Sequence, residues 1–529
     1  MSSEAILNLS IPDLIHVLDE RLGLECAKLQ GTSLPPAMGS ASLEAEWCSQ
    51  IASLETRAHD VLRSINSLRN LLQPVNRLPP EILSRIAQCV PAPSAQDART
   101  IIPLTHVCRY WRASIVSFPE NWTLISSQSV RLAALFLERA RATPLKIWLD
   151  MDEIRGQPRF PDLIAPHVHK AIALEFSGLM TSEDLTDTLP DFPQSMPNLQ
   201  WLDISLLAHA PDWNPSIDPF SSFPAALRCL FLYDIPLYSS ILNLRGLTKF
   251  LLHNYKFNHS LDTLLTVLEE NRSLVDVELR IDFTNPILRS SPQRAPIHNR
   301  LQRLSVKSYT LGDIKALVSS IPLKKGAHLK IDTGDSSAGL NNILSSIPTT
   351  HLTNLQLPTY VRVCGRALRL SGPNGSFSFF GLSTSEMSLS GLPLLSFNNV
   401  RELRFGYPQK RGSTVNHRAL DPSPFPALEA LAVEYDTGIS TTLSALLSSP
   451  KSYPLLKTLA FLNCNLPRDF MEKLTQFASA RKNTTSAWLY RVLIVHSSGF
   501  SDVDSVVALG GSVPVVDVRF GRELPKDLT

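Results

Sequence analysis

The chain has 529 residues, 44% of them hydrophobic and 19% charged, and its 50 Lys and Arg nearly balance 48 Asp and Glu for a net charge of +2. That composition is too apolar for a disordered chain and lacks the basic excess of a nucleic-acid binder, so it predicts a sizeable core and no nucleic-acid partner. The length allows roughly three to five ordinary domains, or one long repeat array with a small appendage. Seven widely spaced cysteines without a C-x-x-C describe neither a disulfide framework nor a zinc ribbon, and are read as reduced, mostly buried thiols.

The N-terminal stretch has no basic start and is broken by Pro12 and Asp13, so it does not read as a signal peptide. The uncharged stretch near the C-terminus around Ser505–Val516 is too short and too rich in Gly and Ser to span a bilayer. These features predict an intracellular protein, cytoplasmic, nuclear or both, with no membrane contact.

Residues 1–42 are expected to hold one short amphipathic helix (Leu14, Ile15, Leu18, Leu22) and then a linker of turn formers. From Leu43 the apolar residues Leu43, Trp47, Ile51, Leu54, Ala58, Val61, Ile65, Leu68 and Leu72 recur three or four apart. That spacing predicts a heptad helix over 43–74, capped by Ser42 and stopped by Pro74. Its stripe either packs on the rest of the chain or mediates self-association.

Residues 75–125 predict three helices. In RLPPEILSRIAQCV (Arg77–Val90) two prolines fix the backbone at a helix start, where missing N–H groups cost little. Glu81 places a negative charge at the positive end of the helix dipole. Ile82, Leu83, Ile86, Ala87 and Val90 share one face. After a loop at Pro91–Arg99, Ile101–Ile125 carries further helical faces around Val107, Cys108, Trp111, Ile115 and Val116. Another amphipathic helix covers Ser129–Ala142, and Leu145–Met151 alternates like a first strand.

The chain becomes periodic after residue 165, within a segment taken as residues 126–529. The template L-x-x-L-x-L begins at Leu199, Leu227, Leu247, Leu274, Leu301, Leu352, Val400, Leu428, Leu456 and Val515, with weaker matches at His169, Gly326 and Tyr490. The period is about 27 residues, and helical segments such as Leu261–Asn271 lie between the matches, as parallel strands require. Residues 366–396 fit no phase. The pattern predicts an α/β leucine-rich-repeat solenoid with parallel strands, following the N-terminal helix and the three-helix segment.

No nucleophile elbow, phosphate loop, dinucleotide fingerprint or zinc-protease helix is present. His167 and His169 would share one face of a strand but have no third ligand. Asp150, Asp152 and Glu153 read as a solvated loop, and Gly510–Gly511 as a loop without a phosphate-binding helix start. No catalytic residue, cofactor or metal is expected.

The segments RLPPEIL (Arg77–Leu83) and VCRYWRA (Val107–Ala113), followed by Pro119 and Trp122, resemble the F-box-like proteins of fungi. F-box families share an L-P-x-E-[IL]-L start and a V-C-x-x-W second half, and both occur here in order. The sequence departs from the family in its inserted loop at Pro91–Arg99. The repeats also lack the usual Asn or Cys after the strand, save in the segment ending at Cys464, so an irregular solenoid is expected.

The resemblance implies a three-helix F-box that docks a Skp-type adaptor and through it a cullin, in a ubiquitin ligase whose substrate receptor is this non-catalytic chain. Carried over by motif, the adaptor contacts are Leu78, Pro79, Pro80, Glu81, Ile82, Leu83, Val107, Cys108 and Trp111. Ile82 and Leu83 would enter partner pockets, while Ile86, Val107 and Trp111 could equally hold the helices together. The solenoid would bind a protein substrate through outward residues including Gln200, Asp203, Arg228, Lys249, Asp276, Arg303, Gln356, Arg404 and Glu429. The alternative is a non-catalytic scaffold in which the F-box-like helices cap the solenoid.

Overall fold

The computed structural model describes residues 41–90, 98–179, 196–206, 223–283 except 236, 238 and 258, 301–333 except 322, 340–345, 357–380 except 365–366, 397–406, 425–434, 453–464, 469–484, 488–495 and 503–519, with a few isolated positions besides. Several readings therefore fall wholly or mostly outside the described residues: the helix and linker expected within residues 1–42, the loop after Val90, and the strand expected at Leu352 with Gln356. The chain is mixed α/β, and its described residues form a mostly parallel 17-stranded sheet. It divides into two compact units, Met1–Ser126 with Leu135–Thr143 and Ser127–Ala134 with Pro144–Thr529.

The first unit begins with the long helix α1 (Ala41–Leu72), which contains Ser42, so that serine is not its N-cap. Pro74 opens a 3-10 helix to Arg77. Three short helices follow: α2 (Pro80–Cys89), α3 (Ile102–Thr105) and α4 (Arg109–Ser117). A 3-10 turn (Pro119–Trp122) then leads to strand β1 (Leu124–Ser126). Along the heptad stripe of α1, Ile51 and Leu72 are exposed and Leu54, Val61, Ile65 and Leu68 half-buried.

In the second unit the chain lays down β2 (Leu145–Asp150), β3 (Ala171–Leu179), β4 (Trp201–Leu206), β5 (Cys229–Tyr233), β6 (Lys249–Phe257), β7 (Asp276–Phe283), β8 (Arg303–Lys307) and β9 (His328–Asp332). Each is parallel to the next. Residues such as Leu202, Leu230, Phe250, Val277, Leu304 and Leu329 sit side by side in register and are buried. Their alternate neighbours point to the opposite face, because successive strand side chains alternate.

The template locates most strands but mis-phases three. At β3 the buried series is Ala171, Leu174 and Phe176, two residues on from His169. At β16 (Arg491–Val495) it starts at Leu489 rather than Tyr490. At β17 (Val515–Arg519) the buried Val513 takes the place held by Leu489 one strand earlier, since Arg491 pairs with Val515.

The segment without a phase is an antiparallel insertion. β10 (Tyr360–Cys364), β11 (Ala367–Gly372) and β12 (Gly375–Phe380) form a meander. β12 runs parallel to β9, and β10 runs parallel to β13 (Glu402–Gly406). The ladder thus passes from β9 to β13 without an unpaired edge. β14 (Ala430–Glu434) and β15 (Thr458–Leu462) continue it to β16. At the β11–β12 turn Gly375 has φ +115°, and a Cβ there would overlap the carbonyl oxygen of Ala327. Only glycine fits.

In place of a repeated asparagine ladder, individual polar residues satisfy buried backbone groups. Asn271 donates to the carbonyls of Leu244 and Val267 and accepts from the Leu247 N–H. The buried Asp313 accepts from the Phe283 N–H, and Asn254 donates to the Ile235 carbonyl. The buried Arg481 donates to the carbonyls of Tyr453 and Leu456 at 2.9 Å each. Cys464 reaches the Val433 carbonyl with its thiol at 3.3 Å. Among the described cysteines it is the buried one, and Cys48 and Cys89 are exposed, so the expectation of mostly buried thiols does not hold.

Gly375→Ala is expected to lower the unfolding free energy by more than about 2 kcal/mol, since both φ and the Ala327 oxygen oppose a side chain. A urea midpoint indistinguishable from that of the parent would contradict this role.

Candidate functional site

Two surfaces, one in each unit, carry residues whose exposure is unexplained by the core. In the first unit α2 packs against α4. Proline at the first position of α2 and Glu81 in its first turn start the helix as expected, with Pro79 as N-cap. The five apolar residues expected on one face are split. Leu83 and Ala87 are buried, whereas Ile82, Ile86 and Val90 are 41%, 38% and 37% exposed. These three lie four residues apart, so they form a stripe along the helix. Val107 is 55% exposed in the turn before α4.

Hydrogen bonds fix the unit beneath that stripe. Trp111, 8% exposed, donates its indole N–H to Asn76 Oδ1 at 2.6 Å. Tyr110 donates its hydroxyl to the Leu78 carbonyl at 2.7 Å, which holds the chain just ahead of Pro79. The buried Asn121 accepts from Ser84 and Gln88 of α2 and donates to the Ile115 carbonyl of α4, tying the two helices together. Trp122 donates to the same carbonyl, packs edge-on against Phe136 at 4.9 Å, and lies under the Arg139 guanidinium.

Of the residues singled out in sequence, Pro79, Glu81, Ile82 and Val107 are therefore exposed, and Leu78, Pro80 and Cys108 half-buried. Leu83, expected to enter a partner pocket, is fully buried in this chain's own core. Trp111 is likewise a core residue here. Ile86 and Val90, exposed on the same helix, were not among the expected contacts. Periodicity defines an apolar face but does not say how much of its width the chain itself covers.

In the second unit the sheet face opposite the core differs along its length. Over β14–β16 it is itself buried, by Ala432, Ala460, Leu462, Leu493 and Val495. Arg404, expected to point outward, is 8% exposed and pairs with Glu402 at 3.1 Å. The adjacent Glu434 also takes Arg362 at 2.8 Å. Burial works to lower the Arg362 pKa, but Glu434 outweighs it and the net shift is upward. Glu429 pairs with Arg401 and Lys457, while Gln356 lies outside the described residues.

Over β3–β8 the same face is polar and aromatic. Asp276 pairs with Arg303 at 2.8 Å, Glu278 with Arg280 at 2.6 Å and Lys307 with Asp332 at 3.2 Å. Trp201 and Phe231 stack with centroids 4.5 Å apart, and the Lys249 ammonium lies 5.9 Å over the Trp201 ring. Asp203 stands in register between Glu175 and Phe231. Its pKa is pushed up to about 7, first by burial and second by the Glu175 charge. Burial, and then the Asp203 charge, likewise raises the Tyr233 hydroxyl.

Two smaller readings change. His167 and His169 lie on a 3-10 helix (Ala165–Lys170) and not on a strand. Asp150 caps a short helix by accepting from the Asp152 and Glu153 N–H groups, and Glu153 accepts from Ser127, so this acidic cluster is not a solvated loop. Among the described residues no group of three or more His, Cys, Asp or Glu is placed to hold a metal ion, and no helix is long and apolar enough to cross a membrane. Compared with known proteins, the chain matches no family model and no curated protein.

Two substitutions test the electrostatics. Glu434→Gln removes the carboxylate that Arg362 meets at 2.8 Å and leaves Arg404 with Glu402, so it is expected to cost about 1–3 kcal/mol, reduced by the partial exposure of Arg362 and read as a lower urea midpoint. Asp203→Asn works in the opposite sense. The folded-state pKa of Asp203 lies above the unfolded value, so the folded chain holds this proton more tightly. Its stability therefore falls as pH rises from about 4 to about 7. The variant should match the parent most closely at acid pH and exceed it at pH 8 by on the order of 1–2 kcal/mol, allowing for solvent screening. An equal urea midpoint at pH 8 would remove the case for a destabilising charge.

Proposed function

We propose that this chain is the non-catalytic substrate-recognition subunit of a Skp–cullin–F-box ubiquitin ligase. The first unit is its F-box and docks the adaptor, and the second is an irregular leucine-rich-repeat array that binds a protein substrate. The observation that carries the reading is the split face of α2: Leu83 and Ala87 stay inside while Ile82, Ile86 and Val90 remain exposed on the helix that follows Pro79 and Pro80. An apolar stripe on a helix whose core is already complete is available for a partner.

The proline pair gives the stripe a fixed entry, and the Tyr110–Leu78 hydrogen bond holds that entry at little ordering cost on binding. Leu83 and Trp111 serve by building the surface. In the array, parallel strands at the repeat spacing present rows of outward side chains, and the polar and aromatic part over β3–β8 suits a protein ligand. In this role the chain would act by bringing a substrate to a ligase and not by chemistry of its own.

Co-expression of the full chain with a Skp-type adaptor tests the docking. The parent is expected to co-elute with it in a one-to-one complex. Ile82→Lys combined with Ile86→Lys should weaken that complex by at least about a hundredfold, because each buries a charge in an apolar contact, and should leave the urea midpoint nearly unchanged. A folded parent that elutes alone would instead favour the scaffold, with these helices as a structural cap.

A further inference from the structure

Over β4–β6 the outward face combines an aromatic platform with an uncompensated acid. Trp201 and Asp203 alternate with the buried Leu202 and Ile204, so both belong to the outward face. Trp201 is 37% exposed although it is one of the largest side chains in the unit, and its stacking partner Phe231 is half-buried. Asp203 makes no hydrogen bond or ion pair among the described residues, and the strands on either side of it, β3 and β5, carry no Lys or Arg. Farther along the sheet, Lys249 of β6 reaches the Trp201 ring, Arg280 of β7 pairs with Glu278, and Lys307 of β8 pairs with Asp332. Asp203 thus remains desolvated beside Glu175 without a counter-ion. Such an arrangement costs stability in the free chain and gains on meeting a cation. The position of Lys249 also indicates that an ammonium over Trp201 is accommodated.

We propose that the sheet face around Trp201, Asp203 and Phe231 binds a protein segment through a lysine or arginine side chain, the cation meeting Asp203 and its aliphatic stem lying on the stacked rings. This rests on the reading of the sheet face as the surface that meets a protein ligand, and is independent of adaptor docking. The charge of Asp203 selects a basic segment over an acidic one, and the aromatic pair selects an extended side chain over a free ion.

The test pans the full chain against a random twelve-residue peptide library at pH 8 and measures the selected peptides on the parent, Asp203→Asn and Trp201→Ala. Peptides sharing an Arg or Lys are expected, with affinity falling at least tenfold on Asp203→Asn and on Trp201→Ala. Adaptor co-elution should be unchanged in both variants, which separates failure of this inference from failure of the ligase reading. If Trp201→Ala does not fold, Asp203→Asn decides alone, since it keeps the shape of the side chain. Selection of acidic or purely apolar peptides, selection of none, or affinities within twofold on Asp203→Asn would overturn the proposal.

Discussion

A strand can pair in parallel with its predecessor only after the chain has crossed back to the same starting edge, and this requirement organises the second unit. It fixes the spacing of about 27 residues, places helices such as Leu261–Glu270 and Leu311–Ser320 between strands, and sets the apolar residues of successive repeats in register. Once that ladder exists, one side of every strand is committed to the core. The other side is free to vary, and it varies from the ion pairs and aromatics of β3–β8 to the buried alanines and leucines of β14–β16. The polar and aromatic part of the sheet is therefore set by composition and not by topology.

The same division between covered and uncovered apolar residues explains the first unit on a smaller scale. Its core is closed by Leu83, Trp111, Ile115 and Trp122, with Asn121 bonding α2 to α4. What that core does not reach is the outer edge of α2. Neither surface needs a strained backbone or a catalytic group. In the proposed reading each would offer preformed side chains to a partner, Ile82 and Ile86 by apolar burial and Asp203 by charge.

Much of this was legible in sequence. The repeated leucines predict the strands because their template follows from alternation and period together. It failed where the first buried position is not a leucine in phase, as at Ala171 and Val513, where a residue two places away satisfied the template by chance. The meander β10–β12 was invisible to a search for parallel repeats, although Ser371–Ser376 (SGPNGS) is a turn signal between alternating segments. At the candidate sites, the sequence pointed to α2 but not to which of its apolar residues are covered. It placed Asp203 outward, but the desolvation that raises its pKa comes from neighbours on β3 and β5, remote in the chain.

Hydrogen exchange on the full chain, with and without a Skp-type adaptor, would read the docking of α2 amide by amide. The adaptor is expected to protect amides within Leu78–Val90 and around Val107 and to leave the strands β3–β8 unchanged. Absence of protection in α2, or protection found instead on the sheet, would contradict that docking.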